Sequence, residues 1–303
     1  MAESSSPTTG AEAGRAADPV PDTGFQPRWF RSQDDLLLYG RDYGFDAPGL
    51  PLLCLGGLTR NSKDFHDLAL RHAPRRRVVA PDYRGRGLSS RDPDWRNYRP
   101  ETYAGDVLDF LTVLGIERAV VLGTSMGGLL AMGLAALRPT LVAGVIINDI
   151  GPEVAGDGYR RILDYISADR PQPDWPAAIA ALREMFPTLA LPTPVKWQRM
   201  AEASYRRGED GLLHYDWDTA LAGTLAADSR NLPDLWAYYR GLGTRPALAL
   251  RGALSDVLTA ATFDHMAAEK PDLLRVEVAG AGHVPSLDEP EAEKAIDEFL
   301  ARF

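Results

Sequence analysis

The feature that most limits the fold is a set of short, wholly apolar runs, each followed by a turn and a helix-like stretch. Leu50 to Leu55, Ala119 to Leu122 and Leu141 to Ile147 carry no alternation of polar and apolar residues. A strand that is hydrophobic on both sides is buried on both faces, which is the condition of a sheet covered by helices. Between these runs, Asn61 to His72 is helix-like and Arg77 to Ala80 is a further short strand. Glu101 to Leu114 sets Val107, Leu108, Leu111 and Leu114 on one helical face, and Ser125 to Leu137 is small, apolar and helical. Ahead of them, Arg28 to Phe45 reads as two short strands joined by the polar turn Ser32-Gln33-Asp34-Asp35. Strands and helices in strict alternation imply right-handed crossovers and a mostly parallel sheet.

The rhythm breaks after Ile150. From Gly151 to Leu242 the sequence shows helical patterns, many prolines and a high density of Trp and Tyr, with no convincing strand. Strand character returns at Ala247 to Arg251 and Leu274 to Ala279, and a helix is expected from Pro290 to Phe303. The organisation is therefore an α/β core over residues 23–150 and 243–303, interrupted by a helical insertion over 151–242. Residues 1–22, rich in Ala, Ser, Thr, Pro and Gly, are expected to be a disordered leader. They carry neither the basic start nor the apolar stretch of a secretory signal.

Composition narrows the partners. The net charge of −9 argues against a nucleic-acid or anionic-membrane surface as the main partner. No 18-residue apolar span occurs, so no transmembrane helix is expected and a cytoplasmic protein follows. The single cysteine, Cys54, sits in the run Leu52-Leu53-Cys54-Leu55 and reads as a buried structural thiol; it admits no disulfide within the chain and no Cys-based zinc site. The triplet Arg75-Arg76-Arg77 reads as a solvated edge, and Arg84 and Arg86 as bracing residues. Asp288-Glu289-Pro290-Glu291 reads as the acidic first turn of the last helix.

Chemistry concentrates on Gly123-Thr124-Ser125-Met126-Gly127, a G-x-S-x-G pattern lying between an apolar strand and a helix. A serine on so sharp a turn projects its hydroxyl above the sheet, and glycines two residues either side avoid collision. That hydroxyl needs a base. Of the five histidines, His66, His72, His214 and His265 lie in helix-like polar surroundings, whereas His283 follows the last strand in Gly280-Ala281-Gly282-His283-Val284-Pro285. The base in turn needs an acid to fix its tautomer. Asp256, on the loop after the Ala247–Arg251 strand, is the expected acid and gives the chain order Ser, Asp, His. Asp149, in Asn148-Asp149-Ile150-Gly151-Pro152, competes; it is expected instead to make a structural hydrogen bond at the mouth of the insertion. The backbone N–H groups of Met126 and of Leu58, in Gly56-Gly57-Leu58, are the expected oxyanion donors.

From Arg28 to Phe303 the chain resembles the α/β-hydrolase superfamily. The resemblance rests on Gly56-Gly57-Leu58, on Asp82-Tyr83-Arg84-Gly85-Arg86-Gly87-Leu88-Ser89, on Gly123–Gly127, on Ser255-Asp256, and on Gly282-His283 followed by Asp288-Glu289-Pro290. It implies an eight-stranded, mostly parallel sheet flanked by helices, with a helical lid inserted after strand 6. It also implies a serine carboxylesterase acting on small to medium esters, with no cofactor and no metal. Many relatives carry His where this chain has Gly56. A lactonase, or a carbon–carbon bond hydrolase of aromatic ring-cleavage products, would use the same triad, and a non-catalytic receptor on this fold is the alternative of a different class. An acidic nucleophile, as in epoxide hydrolases and haloalkane dehalogenases, is disfavoured by Ser125. Trp and Tyr over the site imply an apolar or aromatic small-molecule substrate, with most of these rings packing the insertion and two or three facing the pocket.

Overall fold

A computed structural model describes residues 24–155, 162–189, 191–228 and 234–303. The expected leader, residues 1–22, lies outside the described residues.

A single sheet organises the core. Strand β1 (Gln26–Arg31) pairs antiparallel with β2 (Leu37–Leu55), which pairs in turn with β3 (Arg76–Asp82) and, in parallel, with β4 (Ala119–Thr124). The parallel run continues through β5 (Val142–Asn148), β8 (Ala247–Gly252) and β9 (Leu274–Val278). Among the described residues the sheet has seven strands, one fewer than the resemblance implies. The difference lies in β2: the second and third expected strands are one 19-residue segment. Its register against β3 shifts between Tyr43 and Leu53, so the segment bends while it stays paired.

Side-chain alternation along these apolar strands divides the core into two layers. Leu53, Leu55, Val121, Val145 and Ile147 face one layer. Leu52, Cys54, Val120, Leu122 and Ile146 face the other. The first layer is closed by α2 (Pro100–Val113), which buries Tyr103, Val107, Phe110 and Leu111 at helical spacing, and by α3 (Met126–Leu137). The second is closed by α1 (His66–His72) and by the C-terminal helix α9 (Pro290–Leu300), which buries Ala292, Ile296, Phe299 and Leu300. Cys54 is fully buried, and burial pushes its thiol well above the usual range, which keeps it inert.

Two arginines of the triplet depart from the expected solvated edge. Arg75 is exposed, but Arg76 and Arg77 are buried. Arg77 forms a two-point contact with the buried carboxylate of Asp42, at 2.8 and 2.9 Å. Arg76 donates to the carbonyls of Leu50 and Leu300. Their partners lie on β2 and at the end of α9, too far along the chain for a local charge pattern to reveal. Arg84 behaves as expected of a brace: its guanidinium joins Asp34, Asp92 and Asp106, and holds the Asp34 carboxyl down at about 2.

Between β5 and β8 lies the insertion. A helical stretch over 162–166 precedes α4 (Trp175–Met185) and α5 (Pro194–Ser204), capped by the side chains of Asp174 and Thr193, each with proline in the first turn. The helices α6 (Leu221–Asp228) and α7 (Leu235–Arg240) follow. The helix α8 (Ala260–Glu269) belongs to the core between β8 and β9. The insertion also holds an antiparallel pair, β6 (Tyr205–Arg207) and β7 (Leu213–Tyr215), where no strand is expected from sequence. Three residues are too few to show a two-residue period. Tyr205, Tyr215 and Trp217 stack there, with the last two rings 3.9 Å apart. Among the described residues, no helix is long and apolar enough to cross a membrane.

His72, on α1, provides a pH test of this packing. Burial, aided by the neighbouring Arg71 charge, drives its imidazole from 6.5 down to about 4. A folded value below the unfolded one means that the unfolded chain takes up the proton first, so stability falls as pH drops from about 6.5 toward 4. Unfolding free energies from urea titrations at pH 7 and pH 5 should differ by about 2 kcal/mol more in the parent chain than in His72→Gln, which cannot titrate. Equal pH slopes in the two proteins would disprove the assignment.

Candidate active site

The site is built at the carboxyl ends of β4 and β5. Ser125 links β4 to α3 with φ 53° and ψ −120°, a conformation that non-glycine residues seldom adopt. The flanking glycines make it possible. A Cβ on Gly123 would lie 2.1 Å from the Gly127 carbonyl oxygen, and one on Gly127 would lie 2.1 Å from the Leu55 oxygen. No side chain fits either position. Just past the end of the adjacent strand, Asp149 also has positive φ, at 55°. The two turns are locked together, because Ser125 N–H donates to the Asn148 carbonyl at 2.9 Å.

The structure brings Ser125 and His283 together: Ser125 Oγ lies 3.0 Å from His283 Nε2. The other ring nitrogen, Nδ1, lies 2.8 Å from Asp149 Oδ2. The carboxylate that meets the imidazole is therefore that of Asp149, the competitor, and not that of the expected Asp256. Asp256 stands exposed on the loop after β8, whereas the Asp149 side chain is wholly buried beneath the imidazole. The Gly252 N–H donates to Asp149 Oδ1 and the Ser255 hydroxyl to Oδ2, both at 2.7 Å. The β8 loop thus contributes the donors that orient the Asp149 carboxylate at the end of β5. With its carboxylate acting as acceptor, Asp149 sets the Nδ1 proton toward itself and leaves the Nε2 lone pair toward Ser125.

Asn148 is a positioning residue that sequence reasoning missed. Its side-chain amide donates to Thr124 Oγ1 and to the Pro285 carbonyl, tying the histidine loop to the strand ends. The only sequence signal is a polar residue closing an apolar strand.

Met126 begins α3, so its N–H has no acceptor within the helix. The Leu58 amide is fixed by its own loop. The Gly57 carbonyl accepts from Arg60 N–H at 3.1 Å, and planarity of the peptide turns the Leu58 N–H to the opposite side. The Leu58 carbonyl accepts from Arg86 Nε at 2.8 Å, and the Gly56 carbonyl from the Tyr83 hydroxyl at 3.3 Å. Arg86 is almost wholly buried and lies over the Tyr103 ring, so it braces this loop from inside the core.

A cavity of about 190 Å³ opens onto Ser125 and His283. Its far wall comes from the insertion, with Ile162, Tyr165, Phe186, Leu189, Leu191 and Met200. Tyr165 and Phe186 meet edge to face at 5.4 Å and, among the described residues, are the two aromatic residues of the insertion that line the cavity. The mouth is ringed by ion pairs that tie α5 to the body: Lys196 to Asp288 at 2.5 Å, and Arg199 to Asp67.

Comparison with known proteins agrees with this geometry. The model of the alpha/beta hydrolase family matches residues 52–295. The chain is 33% identical over 267 residues to a 3-hydroxybutyrate-oligomer hydrolase from Cupriavidus necator, covering 86% of this chain and 91% of that protein. It is 31% identical over 253 residues to a 2-(acetamidomethylene)succinate hydrolase from Mesorhizobium japonicum, covering 82% and 87% respectively. Among solved structures, an alpha/beta hydrolase from Novosphingobium aromaticivorans superposes with a TM-score of 0.87 at 40% identity, covering 92% of this chain and 99% of that one. With this sheet, this serine turn and these relatives, the chain belongs to the alpha/beta hydrolase family and is a hydrolase.

Proposed function

We propose that the protein is a serine hydrolase of carboxylic esters working through an acyl-enzyme. The observation that carries this reading is the unbroken path from Ser125 Oγ through His283 to Asp149, with links of 3.0 and 2.8 Å. As His283 Nε2 takes the hydroxyl proton, Ser125 Oγ attacks the acyl carbon, and the carbonyl π electrons move onto oxygen. The N–H groups of Leu58 and Met126 receive that oxyanion. Collapse of the tetrahedral intermediate breaks the bond to the alcohol, which leaves with the proton held by His283. Water then repeats the sequence on the acyl-enzyme, again with His283 as base, and releases the acid. Asp149 orients the imidazole and stabilises its charged form without itself taking the proton.

The apolar wall of the cavity, from Ile162, Tyr165, Phe186, Leu189 and Leu191, supports a small to medium apolar acyl group. The relative from Cupriavidus necator, named for hydrolysis of 3-hydroxybutyrate oligomers, supports hydroxy-acid derivatives as a substrate class.

A panel of p-nitrophenyl esters, a γ-lactone and a ring-cleavage dienoate tests the bond type. Turnover of short esters that falls by about a thousandfold or more in Ser125→Ala is expected. Turnover of the dienoate or lactone alone would replace the ester reading. No turnover, together with thermal stabilisation by a ligand, would point to a receptor.

The acid is tested separately. Asp149→Asn should lower kcat by about 10³–10⁴-fold, whereas Asp256→Asn should leave kcat within a few-fold of the parent. A large loss in Asp256→Asn with Asp149→Asn near normal would reverse the assignment.

A further inference from the structure

Arg60 is a cation on the wall of the catalytic cavity that the proton path does not use. Its side chain and Ser125 flank the same glycine: a Cβ on Gly57 would lie 3.4 Å from Arg60 Cγ and 3.8 Å from Ser125 Cβ. The Arg60 side chain is 13% exposed. Asp64 takes Nε and one Nη2 proton, at 2.6 and 2.5 Å, and the Ser204 hydroxyl takes one proton of Nη1 at 2.5 Å. The other Nη2 proton faces Met200 Sδ at 3.1 Å. A thioether is a weak acceptor. Met200 itself lines the cavity on an unbranched, adaptable side chain.

We infer that Arg60 reads a neutral oxygen on the acyl chain, one or two carbons beyond the scissile carbonyl, so that 3-oxygenated acyl esters are preferred over plain alkanoyl esters. The substrate oxygen replaces Met200 Sδ at Nη2 as the thioether swings aside. The charge balance selects the class. Asp64 already neutralises Arg60 in a two-point contact, so a substrate carboxylate at the same point would meet a cation already spent on another carboxylate. A hydroxyl or ester oxygen brings no charge, and it accepts a proton that otherwise faces only sulfur. The Arg60 stem and the nucleophile both border Gly57, which puts the two on one stretch of the cavity wall.

The inference rests on the ester-hydrolase reading, and the experiment separates the two. The parent enzyme is assayed on p-nitrophenyl butanoate, 3-hydroxybutanoate and succinate monoester, alongside Arg60→Met/Asp64→Asn, which strands no buried charge. Melting temperatures confirm that both proteins are folded. The parent should prefer the 3-hydroxy ester over the butanoate by about tenfold or more in kcat/KM, and the double variant should lose that preference. Arg60→Lys, which keeps the charge and loses the planar fork, should retain only part of it. Equal kcat/KM for the two neutral esters in the parent, or an undiminished preference in the folded double variant, overturns the role of Arg60. Highest activity on the succinate monoester overturns the neutral-oxygen assignment. No turnover of any of the three overturns the ester reading instead.

Discussion

The site depends on one steric constraint: the backbone around Ser125 can adopt its positive-φ turn only because Gly123 and Gly127 have no side chains. Their missing Cβ atoms would each fall 2.1 Å from a backbone oxygen. Such contacts fix the turn against β2 and α3 at once, so the hydroxyl is placed by packing of main chain on main chain, without support from a flexible side chain. Strain of this kind persists only where the surroundings over-determine it. Here they do, through the Ser125 to Asn148 hydrogen bond and the close seating of α3 on the sheet.

The Gly56–Leu58 loop is held by a comparable division of labour. Three successive carbonyls, those of Gly56, Gly57 and Leu58, each accept from a separate donor: the Tyr83 hydroxyl, the Arg60 N–H and the Arg86 guanidinium. Two of those donors come from the glycine-dense loop after β3. That loop therefore serves the chemistry without touching the reacting atoms. Arg84 anchors it from the opposite side through three carboxylates.

Much of this was legible in the sequence, and the misses have physical causes. The two-sided apolar runs marked the parallel strands, and the strand–turn–helix setting of Gly123–Gly127 marked the turn that carries Ser125. His283 stood out by following the last strand. The acid was harder to place. Asp149 and Asp256 both follow strands, and β5 and β8 lie side by side in parallel register, so both loops open at one edge of the sheet. Which carboxylate turns beneath the imidazole depends on the positive φ of Asp149 and on donors from Gly252 and Ser255, about a hundred residues further on. Sequence order cannot express that convergence. The bend in β2 and the burial of Arg76 and Arg77 were hidden for the same reason, since their partners are remote along the chain.

Because nucleophile and acid sit on neighbouring strands joined by a main-chain hydrogen bond, their spacing is a property of the sheet's interior. The imidazole arrives separately, on a loop beyond the outermost strand, β9. Edge strands open more readily than central ones. Opening at that edge would loosen the imidazole first, held back there by the Asn148 amide on the Pro285 carbonyl, while Ser125 and Asp149 keep their link through the main chain.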